Sequence, residues 1–156
     1  MIGWSSPGKR PGAADQPDCS AFLTLTAVIR PDLTLPVPAR LRYHRGDPYA
    51  VHLDCHVETD EPIPWAFSRD LLAAGLSMWV GLGDVSVHPS SDPASDTFYI
   101  CLHPPDQAAV LRAPRSLVKT FLRASYTIVP AGSESEHYDM DEMVGRFWGR
   151  DAPSAG

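Results

Sequence analysis

Six histidines, three cysteines and a cluster of basic side chains are the residues of this 156-residue chain whose types could do chemistry. Metal binding or general acid–base work would need histidines and carboxylates that converge on one point. His52, Asp54 and His56 alternate along one stretch and so share a face, which invites that reading. Strand geometry works against it. Four residues at about 3.3 Å each hold the two histidines roughly 13 Å apart, whereas zinc ligands lie about 2 Å from the metal. One strand offers at most a local pair of Asp54 with His52 or His56, and a solvated strand face is the stronger expectation. His44, His88, His103 and His137 have no neighbour at a ligand spacing.

A serine hydrolase elbow needs G-x-S-x-G, and Gly75-Leu76-Ser77-Met78-Trp79 lacks the second glycine. Gly81-Leu82-Gly83-Asp84 precedes a strand where a dinucleotide fingerprint would follow one, so it reads as a glycine turn. Cys19, Cys55 and Cys101 are odd in number and widely spaced, with no C-x-x-C pair, which argues against a disulfide framework or a cysteine zinc site. Cys55 and Cys101 fall in strand patterns and read as small hydrophobes. The expectation is a protein without catalytic residues, metal or cofactor.

What remains is surface. In PRSLVKTFLRASY, residues 114–126, Leu117, Val118, Phe121 and Leu122 fall on one side of a helix and Arg115, Lys119 and Arg123 on the other, with Arg112 just before. That ridge reads as a solvated face, as a dock for the acidic stretch Glu134 to Glu142, or as a surface for an acidic partner. The segment LSMWVGL, 76–82, is unusually apolar for a connection and reads as core or oligomer interface ahead of an outward partner patch.

These groups must be held by strands and a few helices. Strands are expected at Ser20 to Ile29, at Tyr49 to Glu58 with Tyr49, Val51, Leu53, Cys55 and Val57 inward, at Trp65 to Phe67, Asp84 to His88 and Thr97 to His103. LPVPARLRYH, 35–44, should be an edge strand because Pro36 and Pro38 lack donors. Ser68 offers an N-cap to a helix that Asp70 favours electrostatically and Gly75 ends. Pro114 opens the second helix, and a third is expected from Asp139 to Trp148. About six strands in runs, with three helices and no regular alternation, predict an α+β fold with antiparallel sheet. The domain should span residues 19–149, between a Pro/Gly leader at 1–18 and a disordered tail at 150–156.

The chain is 44% hydrophobic and 21% charged, which suits a globular domain. It has no apolar run of membrane-spanning length and no visible secretory signal, so a cytoplasmic location without membrane insertion is expected. Net charge is −6, with four of those charges contributed by residues 131–156. Such a balance disfavours a polyanion binder.

Five blocks in order, LPVPARLRYHRGDPYAV at 35–51, WAFSRDLLAAGL at 65–76, GDVSVHP at 83–89, LRAPRSLVKTFL at 111–122 and HYDMD at 137–141, resemble the SsgA-like proteins of sporulating actinomycetes. The likeness covers residues 20–148. It implies a non-enzymatic regulator of sporulation-specific division, controlling septum-site placement and peptidoglycan remodelling through protein contacts at division septa. Its implied partners are the chain itself, as a homotrimer, and the tubulin-like protein FtsZ or an SsgA-like paralogue. The implied fold has two antiparallel sheets with helices, similar to the whirly-type single-strand-binding architecture. From that analogy comes the alternative of a single-stranded nucleic-acid-binding module. The residues expected at a partner contact are Arg115, Lys119, Arg123 and Trp79, with Trp65, Arg69 and Asp70 positioning the helix behind them. The leader 1–18 and the bulky Ser77-Met78-Trp79-Val80 depart from the family pattern.

Overall fold

The structure is a computed structural model and describes residues 16–103 and 108–137. Within them the chain folds as α+β. Eight strands form one antiparallel sheet in the order β4-β3-β2-β1-β8-β7-β6-β5. They are β1 (Cys19–Arg30), β2 (Leu33–Tyr43), β3 (Ala50–Cys55), β4 (Ile63–Ser68), β5 (Val80–Leu82), β6 (Val85–Pro89), β7 (Thr97–Leu102) and β8 (Ala109–Pro114). Two meanders, β1 to β4 and β5 to β8, join through the β1–β8 pair, where Thr26 and Ala27 face Arg112 and Leu111. The family resemblance implied two sheets; the β1–β8 pair fuses them into one.

Helix α1 (Arg69–Gly75) carries the chain from one outer edge, β4, to the other, β5. Seven strand spacings would separate the edges of a flat sheet by roughly 33 Å. A seven-residue helix and the four residues 76–79 span at most roughly 24 Å. The sheet must therefore curl until its edges approach across a seam that α1 bridges.

Inward side chains form the core: Leu23 and Leu25 of β1, Val37, Ala39, Leu41 and Tyr43 of β2, Val51 and Leu53 of β3, Phe98 and Ile100 of β7. Helix α2 (Arg115–Ile128) lays Val118, Phe121 and Leu122 into this concave face. The other face of the sheet is uncovered by either helix.

Several expectations change. β2 is an interior strand, paired with β1 throughout and with β3 at Ala39 to Arg42. Its prolines fit because β3 pairing begins only after them. The Pro38 carbonyl accepts from Val57 N–H at 3.1 Å on the β3 side, so the missing proline donors also turn away from β1. β3 ends at Cys55, earlier than its alternation suggested, because His56 takes a left-handed conformation at φ 59°. Tyr49 is half exposed and precedes the strand. β5 and β8 were not expected as strands. Ser68 does cap α1, accepting from Leu71 N–H at 3.2 Å, and Gly83 turns β5 into β6 at φ 61°. The helix expected at 139–148, most of the leader and the tail lie outside the described residues.

Candidate functional site

The histidine face dissolves on inspection. Asp54 is held by Arg42 through two bonds of 2.6 and 3.1 Å, so it pairs with neither His52 nor His56. His52 instead meets Asp47 at 3.1 Å and His56 meets Glu58 at 3.4 Å. His44 packs edge-on to His52, and burial is the main cause holding its imidazole below the usual histidine range. Among the described residues no group of three histidine, cysteine or acidic side chains could hold a metal ion. Burial pushes the Cys55 thiol up to about 11, which keeps it protonated and inert.

The basic ridge is real. Lys119 and Arg123 are exposed on α2 opposite its buried face, and Arg115 is half buried at the first turn. Arg115 Nε donates to the Leu76 carbonyl at 3.2 Å, which ties the start of α2 to the end of α1. Met78 and Trp79, two and three residues beyond that carbonyl, are 58% and 67% exposed. Arg115 thus ties the first turn of the ridge to the residue from which this exposed loop departs. The core reading of 76–82 fails for Met78, Trp79 and Leu82, while Leu76 is buried as expected. The acidic stretch does not dock on the ridge through Glu134, which is engaged elsewhere; its residues from 138 onward lie outside the described ones.

Arg69 is the residue that sequence reasoning understated. It was expected to help position α1, and it is 1% exposed, the largest fully buried side chain in the core. Its guanidinium lies between the rings of Tyr43 and Tyr126, 4.8 and 4.0 Å from their centroids. Nη1 donates to the Ser125 and Val129 carbonyls at 3.1 and 2.8 Å, satisfying the C-terminus of α2 where a cation is favoured. Nη2 donates to Glu134 Oε2 at 3.1 Å, while Gly132 N–H donates to Oε1 at 2.7 Å. Backbone amides and Arg69 hold the Glu134 carboxyl below the usual carboxylate range. Burial pushes the Tyr43 phenol up to about 12, and its hydroxyl donates to the Pro48 carbonyl at 2.9 Å. Asp70, exposed in the first turn of α1, accepts from the Tyr126 hydroxyl at 3.3 Å. Arg69 and Asp70 thus fix α1 against α2. Trp65 is half buried on β4, at the seam and away from the ridge.

The outer sheet face holds two contacts that strand pairing alone could have revealed. His88 and Tyr99, directly opposite on β6 and β7, stack with centroids 5.1 Å apart, and Arg40 on β2 lies over Phe22 on β1 at 5.4 Å. Cys101 Sγ lies 3.9 Å from His88 Nε2. No helix among the described residues is long and apolar enough to cross a membrane.

The chain is an α+β protein, a curled antiparallel sheet around one amphipathic helix, with charged side chains and exposed aromatics on its open faces. Comparison with known proteins gives its family. The sequence model described as Streptomyces sporulation and cell division protein, SsgA, matches residues 37–134. The chain is 42% identical over 125 residues to the sporulation-specific cell division protein SsgB of Streptomyces coelicolor, covering 80% of this chain and 91% of that protein. It is 44% identical over 127 residues to SsgB of Salinispora tropica, covering 80% and 89%. A solved SsgA-like sporulation-specific cell division protein from Thermobifida fusca superposes with a TM-score of 0.73 at 34% identity, over 83% of this chain and 94% of that one. A solved structure from work on SsgB and longitudinal cell division in Streptomyces coelicolor gives a TM-score of 0.72 at 42% identity, over 76% and 94%. The chain belongs to the SsgA-like family of sporulation and cell-division proteins.

Proposed function

We propose that the chain regulates sporulation-specific division without catalysing a reaction, and that it controls septum placement and peptidoglycan remodelling by protein contact. It acts in the cytoplasm at division septa and engages FtsZ or an SsgA-like paralogue. The observation that carries this reading is the exposed Met78-Trp79 loop departing from Leu76, whose carbonyl Arg115 binds at the first turn of the basic α2 ridge. A basic rim beside an exposed aromatic is the composition of a contact that combines electrostatic steering with an apolar anchor. As a homotrimer the protein would present three such surfaces and gain avidity from modest single contacts.

Reversing charge at the exposed Lys119 and Arg123 together is expected to weaken FtsZ retention in a pull-down by about tenfold, with the thermal midpoint unchanged. Arg115 is left intact because it bonds the Leu76 carbonyl. Undiminished retention would remove the ridge from the contact.

A second reading, single-stranded nucleic-acid binding, has one observation in its favour. The outer sheet face carries Phe22 under Arg40, Tyr99 on His88, and Arg112 paired between Thr26 and Tyr99. Rings beside arginines are what base stacking and phosphate contact require. On this reading a labelled oligothymidylate binds at low salt, is released as salt rises, and is lost with Arg40→Ala plus Arg112→Ala. Absence of low-salt binding rejects it.

A further inference from the structure

Among the described residues the seam between β4 and β5 is an unfilled place in the sheet. Both strands are pair-free on their outer sides among the described residues, and they face each other across the span of α1. Hydrogen-bond phase determines what each edge offers. Arg69 N–H donates to the Tyr49 carbonyl at 2.8 Å, so by the two-residue alternation of an antiparallel ladder Phe67 and Trp65 bond to β3. Pro64 and Ala66 then turn their main-chain groups towards the seam. Pro64 has no donor to leave unpaired, which suits an edge. On the opposite side His103 N–H donates to the Asp84 carbonyl at 2.7 Å, which leaves Val85 and Val87 to bond β5 through Leu82 and Val80. Gly81 therefore points its N–H and carbonyl into the seam.

A cleft of about 350 Å³ lies there, lined by Trp65, Phe67, Leu71, Leu82 and Val85, with Asp84 at its mouth. Leu82 is 66% exposed and Ile63, at the far end of β4, 50%. Both belong to the side of the sheet that is core elsewhere, because Leu82 opposes buried Val85 and Ile63 opposes buried Cys55. Among the described residues the core stripe thus runs on to each edge and stops uncovered. The exposed charges that flank the two strands in sequence are acidic before β4 and after β5: Glu58, Asp60 and Glu61 precede β4 and Asp84 follows β5, while Arg69, next after β4, is buried and paired with Glu134.

We infer that the seam accepts an extended segment of a partner protein by strand addition. The segment carries apolar side chains at alternate positions and basic residues at its ends. Its main chain pairs with Ala66 and Gly81, its apolar side chains enter the cleft beside Trp65 and Leu82, and its flanking cations meet Glu61 and Asp84. This site is separate from the α2 ridge and does not depend on FtsZ being the partner.

The test uses the full chain and a fluorescein-labelled peptide Lys-Arg-Val-Thr-Val-Thr-Ile-Arg-Lys, with a control of the same composition whose apolar residues are adjacent. The alternating peptide is expected to raise anisotropy at concentrations where the control does not, and to slow amide exchange at Ala66 and Gly81. Ala66→Pro removes the outward N–H at a phase where the strand already carries Pro64, and is expected to weaken binding about tenfold. Leu82→Asp, at an exposed position that does not endanger folding, is expected to weaken it at least as much. Equal binding of the two peptides, protection of amides elsewhere, or indifference to both variants would overturn the inference. So would concentration-dependent association of the chain alone that Ala66→Pro abolishes, because the seam would then belong to a second copy.

Discussion

Replacing Arg69 with methionine is expected to destabilise the fold by about 3–5 kcal/mol, read from the urea midpoint. The side chain of methionine fills part of the space between Tyr43 and Tyr126 but donates nothing. The Val129 carbonyl loses its donor at the end of α2, the Ser125 carbonyl keeps only the Val129 N–H, and Glu134 keeps a buried carboxylate with its cation gone. Against a typical total of about 5–15 kcal/mol such a loss is a large part of the whole. A cost below about 1 kcal/mol would mean that the pair only offsets its own desolvation. Acid titration gives a second readout. Because the folded carboxyl of Glu134 lies below its ordinary 4.5, its contribution is fully present above that pH and is lost as pH falls through the folded value. In Arg69→Met the folded value rises, so the stability curve should flatten in that acid window.

Gly75→Ala is expected to be nearly as damaging, about 3 kcal/mol, for a reason unrelated to backbone freedom. A Cβ at this position would overlap Cγ1 and Cβ of Val87 and approach the Val87 carbonyl carbon to 3.2 Å. Val87 is fully buried on β6, so α1 would have to lift from the sheet it bridges. Val87→Gly removes both overlapping atoms, Cγ1 and Cβ, so the double variant should cost clearly less than the sum of the two single changes. Simple additivity of the two costs, measured in the same urea titration, would contradict close packing as the cause. Lifting α1 also moves Leu76 from Arg115, so the variant should disturb the ridge and loop together.

The local parts of this architecture were legible from residue order. Alternation marked Val51, Leu53 and Cys55 as inward, the serine at 68 announced a helix start, and the apolar stripe of α2 separated Phe121 and Leu122 from Lys119 and Arg123. Features set by distant partners were not. The burial of Arg69 depends on Glu134, 65 positions away, and on two tyrosines from other elements; in sequence it is one arginine in the first turn of a helix, where a cation is disfavoured. Pro36 and Pro38 correctly flagged missing donors, but which side of β2 those donors would have faced depends on where β3 begins. The three residues of β5 are too few for periodicity to register, and their apolar neighbours Met78 and Trp79 looked like core until the turn of the chain left them outside. The seam is a property of closure, since it exists only because seven residues of α1 must join opposite edges of an eight-stranded sheet.

The proposed role as a multivalent division regulator is tested most directly by the solution mass of the purified chain, measured by light scattering with and without FtsZ. A stable trimer whose mass rises further when FtsZ is added is the predicted result. A monomer whose mass is indifferent to FtsZ would contradict both the assembly and the partner.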